Sequence, residues 1–256
     1  MRIVQIIVCC IGITSTYLVT AEAQTSARQS GYQSMSAENQ ALQDDPSANP
    51  AVFWLMDGQT LWKDSAGPKQ KSCASCHGDS GQSMKGVATH YPKVMSGKLQ
   101  TLEGQINQCR AFNQGLPQFA YESKQLLALT AFVANQSKGL PIDVQKTANN
   151  QSDLKKGHDW FYQRMGQLNL SCAQCHEERA GLKLGGSIIP QAHPTGYPIY
   201  RIEWQSLGSL ERRLRNCMSG VRAQPFEYGS TEMAQLELYL MWRARGMPLE
   251  TPAVRP

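Results

Sequence analysis

Apolar and polar positions fall into the same pattern twice along this chain. After Ser123, the residues Leu126, Leu127, Leu129, Phe132 and Val133 recur at helical spacing until Gly139, and Pro141 follows. After Ser230, the residues Met233, Leu236, Leu238, Tyr239 and Leu240 do the same until Gly246, and Pro248 follows. Serine accepts the first free amides of a helix, glycine closes it, and proline cannot continue it, so both segments predict capped amphipathic helices. The three markers are offset by 107 residues in each case. Two earlier helices match as well. One starts at Asn49-Pro50 and carries Phe53, Trp54, Leu55 and Trp62; the other starts at Ser152 and carries Leu154, Trp160, Phe161 and Met165. The repeat predicts an all-α protein of two tandem domains, residues 50–147 and 148–256, meeting in the polar stretch Gln145–Ser152. Residues 24–49 are rich in Ser, Gln and Ala with little periodicity, and are expected to form a loosely held N-terminal arm.

The first 23 residues follow another logic. Met1-Arg2 is a short basic start, Ile3 to Val19 is an apolar run, and Ala21-Glu22-Ala23 has the small-x-small form of a cleavage site. This predicts a secretory signal peptide over 1–23 and a mature protein exported to the periplasm. The run is short for a membrane anchor and no basic stop-transfer cluster follows; Cys9 and Cys10 lie inside it rather than at its end, which argues against lipid attachment. No later stretch is apolar enough to span a membrane. A hydrophobic fraction of 41% with 18% charged residues then fits an ordinary globular protein. The net charge of +5 is neither gathered into a run nor interleaved with aromatic residues, which favours an anionic substrate or an acidic protein partner over nucleic acid.

The cysteines sharpen the picture. Outside the leader there are six: Cys73, Cys76, Cys109, Cys172, Cys175 and Cys217. Four fall in Cys73-Ala74-Ser75-Cys76-His77 and Cys172-Ala173-Gln174-Cys175-His176, both C-x-x-C-H. Two thiols three apart on a helical turn reach the two vinyl groups of one haem, and the adjoining histidine supplies the proximal iron ligand. Paired zinc knuckles usually lie about 15–20 residues apart, whereas here 95 residues separate Cys76 from Cys172. The expectation is two class I-like cytochrome c domains, each with one covalently bound haem c filling much of a core of about 100 residues.

The repeat also aligns the remaining two cysteines. Leu99, Leu102, Glu103, Ile106 and Cys109 match Leu207, Leu210, Glu211, Leu214 and Cys217. Each cysteine therefore occupies one place in its own domain, roughly where a small cytochrome c carries its second axial ligand. Alternatives stay open at this point: Met95 or Met218, His90 or His193 as ligands, or one Cys109–Cys217 disulfide. His158 lies before its haem motif and is a weaker candidate. Around Cys217 the halves diverge. Arg212, Arg213 and Arg215 precede it, against no arginine before Cys109, and Arg222 follows. On a helix Arg213 shares a face with Cys217, so the second domain has the makings of an anion site beside a cysteine sulfur. A solvated basic face, or arginines pairing with haem propionates, would carry the same pattern.

The stretch Glu211-Arg212-Arg213-Leu214-Arg215-Asn216-Cys217-Met218-Ser219-Gly220-Val221-Arg222, with Pro225, Tyr228-Gly229-Ser230 and the closing Leu238-Tyr239-Leu240-Met241-Trp242-Arg243, closely resembles the SoxA family, the dihaem subunits of SoxAX cytochromes in sulfur-oxidising bacteria. The resemblance runs over nearly the whole mature chain. It implies an L-cysteine S-thiosulfotransferase that joins thiosulfate oxidatively to a cysteine of the carrier SoxY (as SoxYZ), with electrons leaving through haem to a soluble cytochrome c, and with the monohaem cytochrome SoxX as partner. It implies His77 and Cys109 as axial ligands of haem 1, and His176 and Cys217 as those of haem 2. It further implies a persulfide on Cys217 and substrate binding by Arg213. Other readings of two haems are a plain electron-transfer cytochrome and a thiosulfate dehydrogenase that forms tetrathionate.

Overall fold

A computed structural model describes residues 27–256; the leader expected over 1–23 lies outside the described residues. The helices in chain order are α1 (Ala37–Asp44), α2 (Val52–Lys63), α3 (Cys73–His77), α4 (Ser80–Ser83), α5 (Leu102–Cys109), α6 (Lys124–Asn135), α7 (Gln151–Tyr162), α8 (Cys172–His176), α9 (Leu210–Gly220) and α10 (Thr231–Arg243). Between them run short strands: β1 (Lys93–Met95), β2 (Lys98–Gln100), β3 (Lys183–Leu184), β4 (Ser187–Ile188), β5 (Ile199–Arg201), β6 (Ser206–Gly208) and β7 (Ala253–Arg255). The architecture is helical, as the periodicity indicates, with one addition. β5 sits between antiparallel β6 and parallel β7 in a small sheet, and β7 is buried throughout.

The N-caps are where the pattern puts them: Ser123 Oγ accepts from the Leu126 amide, and Ser230 Oγ from the Met233 amide, both at 3.3 Å. The C-terminal ends come earlier than the expected glycines, with Gln136 and Ala244 as the caps, and Gly139 and Gly246 take φ of 81° and 80° in the turns that follow, a left-handed conformation glycine adopts without strain. In each half the helix before the haem motif crosses the long later helix, α2 on α6 and α7 on α10. Each crossing is made at a glycine. A Cβ on Gly58 would stand 2.3 Å from the Ala128 carbonyl oxygen, and one on Gly157 would stand 2.0 Å from that of Gln235. Trp62, Phe161 and most of α6 and α10 are buried at these crossings. Phe53 faces out, 66% exposed, and Met165 falls beyond the end of α7.

The halves are fused about a local two-fold axis. After α6 and α10 the chains run side by side: Gly139 N donates to Leu249 O (2.8 Å) and Gly246 N to Ile142 O (2.7 Å), while Ile142 N donates to Met247 O and Leu249 N to Leu140 O (both 2.9 Å). Shifting each residue by the repeat exchanges the members of each pair. The same exchange packs α6 on β6 and α10 on β2, and stacks Tyr121 on Tyr228 with ring centroids 6.3 Å apart. One apolar cluster, from Trp62 and Phe132 to Phe161 and Leu238, runs through both halves.

The expected loose arm is instead tied down from Arg28 onward. Arg28 donates to the carbonyls of Arg243 and Arg245, Ser30 bonds Glu250, and Gln43 on α1 is buried against Val254 and Arg255 of β7. This docking runs through hydrogen bonds of polar side chains, which leave no apolar period in the sequence.

Candidate functional site

Both C-x-x-C-H motifs fold as one helical turn capped by the preceding serine. Ser72 Oγ accepts from the Ser75 amide in α3, and Ser171 with Gln174 forms a reciprocal capping box on α8. The turn aligns two sulfurs and one imidazole on one side. The opposing element is α5 in the first half and α9 in the second, each capped in turn by Thr101 and Ser209. All six described cysteines are unbridged. Burial pushes the Cys73 and Cys172 thiols up to about 11, and the sulfurs that face them, Cys109 and Cys217 respectively, add to the rise. Each further cysteine thus lies across from its own motif, and the Cys109–Cys217 disulfide is not formed.

His176 is held as an iron ligand needs to be. Its Nδ1 lies 2.7 Å from the Pro190 carbonyl, so the proton on Nδ1 is donated there and Nε2 keeps its lone pair. Burial, and then the cations of Arg213 and Arg243, keep its pKa below the usual histidine range against the pull of that carbonyl. A cavity of about 650 Å³ opens beside it, walled by Tyr239, Trp242 and His193 and rimmed by Arg28, Arg243 and Arg245. Flat aromatic walls, a directed imidazole and a cationic rim suit a planar macrocycle carrying two propionates, so the residues fit haem c. In the first half the His77 ring packs 5.8 Å from Trp62, whose Nε1 donates to the Gly78 carbonyl. Among the described residues no three His, Cys, Asp or Glu side chains converge into a metal cage, which leaves a zinc-knuckle reading without its geometry.

The alternative ligands lie in differing settings, one of them in the cavity beside His176. Met95 receives the Tyr91 hydroxyl on its sulfur, and Met218 is buried in the shared core, turned from Cys217 by one helical step. His90 is exposed beside Asp143, and His158 packs between Tyr162 and Tyr239. His193 bonds the Gln29 carbonyl while lining the cavity beside His176.

The three arginines before Cys217 part company. Arg212 lies over Trp204 at 4.1 Å, near Glu122. Arg215 lies over Tyr228 at 4.4 Å and bonds the Phe226 carbonyl. Arg213 is left half-buried, its guanidinium making no hydrogen bond or ion pair to another described residue, and its charge is felt at His176 and at Tyr197. Arg222 lines a separate cavity with Trp160, Met165 and Phe226. A half-buried guanidinium without a carboxylate is free to pair with an anion. Position 105 answers position 213 in the repeat, and there Gln105 Nε2 donates to Cys109 Sγ at 3.2 Å. The two sulfurs are therefore in unlike company, one under a neutral amide, the other a helical turn from an unpaired cation. Sequence reasoning missed Gln105, Tyr197, Arg243 and the Pro190 carbonyl. A signal existed for Tyr197, since Tyr91-Pro92 and Tyr197-Pro198 recur at matching places in the repeat.

Comparison with known proteins agrees with this layout. A family model described as the SoxA/TsdA cytochrome c domain matches residues 57–142 and again 156–249. The L-cysteine S-thiosulfotransferase subunit SoxA of Rhodovulum sulfidophilum is 34% identical over 89% of this chain and 80% of its own length. The protein of the same description from Pseudaminobacter salicylatoxidans is 35% identical over 88% and 80%. The crystal structure of SoxXA from P. pantotrophus superposes with a TM-score of 0.87 at 30% identity, covering 90% of this chain and 87% of that one. With both halves matched separately and two C-x-x-C-H turns each faced by a cysteine, the chain belongs to the SoxA family of cytochromes c.

Proposed function

We propose that the chain is the catalytic subunit of an L-cysteine S-thiosulfotransferase, working in the periplasm after loss of residues 1–23 and carrying two haems c. Cys73, Cys76, His77 and Cys109 would hold one haem. Cys172, Cys175, His176 and Cys217 would hold the other. SoxX is the partner cytochrome, and a cysteine of SoxY in SoxYZ receives the thiosulfate. The relatives' shared activity supports the chemistry. The observation that carries it is Arg213, unpaired and one turn from Cys217.

Thiosulfate is a dianion whose outer sulfur is the nucleophile. Arg213 binds the sulfonate end and orients the outer sulfur toward Cys217. Burial of this region raises the worth of that charge pairing above its value in water. Cys217 presents the protein's own sulfur at the point of exchange. The Pro190 carbonyl keeps the His176 proton on Nδ1 throughout. Joining thiosulfate to a thiol forms one sulfur–sulfur bond and releases one proton and two electrons. Bound haem supplies the acceptor for those electrons, which a soluble cytochrome c then removes.

Purified chain with SoxX, SoxYZ and thiosulfate should reduce cytochrome c and add a thiosulfonate to SoxY, read by intact mass. Tetrathionate formation without SoxYZ would instead establish a thiosulfate dehydrogenase. Cytochrome c reduction indifferent to both substrates would leave an electron carrier.

A further inference from the structure

Where the halves meet there is a small internal cavity of about 40 Å³, enough for one or two waters. Glu103 of α5 and Glu237 of α10 both line it, as does Thr130 of α6. Thr130 is 1% exposed, and its Oγ1 finds no hydrogen-bond partner among the described residues. A buried hydroxyl without a protein partner marks a place for water. The lining obeys the local two-fold axis: Tyr91 answers Tyr197, Leu102 answers Leu210, and Thr130 answers Glu237.

The surrounding charge is one-sided. The charges facing Glu237 are Glu103 and Glu211, and Glu103 also faces Glu122. Glu211 faces Glu103 and Glu122, with Arg215 beyond. Arg212 faces Glu122, not the cavity pair. The Tyr121 phenol faces Glu103, Glu211 and Glu237. On the two flanks each cavity tyrosine feels the charge of one of the further cysteines, while the Tyr91 hydroxyl bonds Met95. Tyr91 faces Cys109; Tyr197 faces Cys217, with Arg201, Arg213 and Arg255 around it.

Glu103 and Glu237 are half-buried and face one water-sized space, where two ionised carboxylates repel each other and sharing one proton relieves the repulsion. We propose that this cavity is a proton-loading site. Glu103 and Glu237 share one proton, water bridges them to Thr130 Oγ1, and an electron entering a haem draws a second proton from solvent onto the pair. The proposal rests on the reading that both C-x-x-C-H turns carry haem. The balance closes: iron(III) takes one electron from the sulfur couple, whose own S–S bond formation and proton release are those written above, and a solvent hydronium gives up one O–H bond as one carboxylate oxygen gains one. Because thiosulfate coupling releases one proton with its two electrons, the site would hold charge neutral between the haems during turnover.

The test is a redox titration of the full holoprotein, followed in the haem bands at a series of pH values on both sides of neutrality. The potential of at least one haem should fall as pH rises. That slope should vanish in Glu237→Gln and Glu103→Gln, and weaken in Thr130→Val. A flat profile in the unaltered protein, or an unchanged slope in both glutamine variants, would overturn the proposal. Should the variants not fold, redox-difference infrared spectra of the unaltered protein decide: a carboxylic-acid C=O band must grow on reduction, and its absence overturns the idea. The same optical spectra count the haems, so failure of the haem reading is seen separately.

Discussion

At the scale of single residues the two sulfurs have unlike neighbours, and the division of work proposed for them turns on one of those differences. Arg213 lacks a protein counter-ion, whereas Gln105 already spends its amide on Cys109. A charged hydrogen bond contributes about 1.5–3 kcal/mol, so Arg213→Ala should lower kcat/KM for thiosulfate about 10–100-fold. Arg213→Lys should recover only part of this, since a point charge replaces a fork; steady-state kinetics with SoxYZ would show it. A hydrogen bond to a ligating sulfur drains its electron density. Gln105→Leu should therefore shift the low-spin EPR signal of one haem and leave the thiosulfate KM unchanged. Cys217→Ala should abolish the signal of the other. The cysteines and Arg213 were legible in the sequence because a repeat aligns them and helical spacing sets them on one face. Pro190 was not, because a loop path brings it to His176; Tyr197 had only the recurring Tyr-Pro pair to mark it, and Arg243, at the end of the periodic α10, shows its place beside His176 only once the fold is in place.

At the scale of elements, the caps and crossings make the two halves alike. Ser123→Ala or Ser230→Ala removes one acceptor from a helix start and should cost about 1 kcal/mol, which for a chain of this size is a fall in Tm of about 2–4 °C. Gly58→Ala and Gly157→Ala should cost more, because the new carbon would overlap a backbone carbonyl that cannot swing aside. Such overpacking costs typically about 1–3 kcal/mol, and chemical denaturation of the oxidised protein would measure it. N-cap positions and helix faces were readable from Ser, Gly and Pro punctuation around an apolar stripe. The crossing glycines were visible but mute, since a glycine in a helix shows its reason only when the partner helix is in place. The arm and the β5–β7 sheet were hidden for a related cause. They join chain ends far apart in sequence through polar bonds such as Gln43 with Arg255.

At the scale of the whole molecule, the repeat foretold two alike halves but not how they would be fused. Nothing in the sequence brings Glu103, Glu122, Glu211 and Glu237 together, and only the two-fold apposition sets them toward one another. Their cost has a definite sign. Burial pushes the Glu211 carboxyl up to about 8, with Glu103 and Glu122 adding to it and the Gly229 amide opposing it. An unfolded glutamate ionises near the usual carboxylate range, so above that range the unfolded chain binds fewer protons than the folded one. Stability contributed by this cluster is therefore full below about pH 4.3, is lost progressively as pH rises, and reaches its minimum once the pH passes about 8. Denaturant melts of the oxidised protein should give a lower midpoint at mildly alkaline than at mildly acidic pH. Glu211→Gln should flatten that dependence, since a neutral amide can still accept from Gly229 and has no charge to strand. A midpoint that rises toward alkaline pH, or a glutamine variant with an undiminished slope, would mean the carboxyl groups are solvated and that the seam between the halves is open to water.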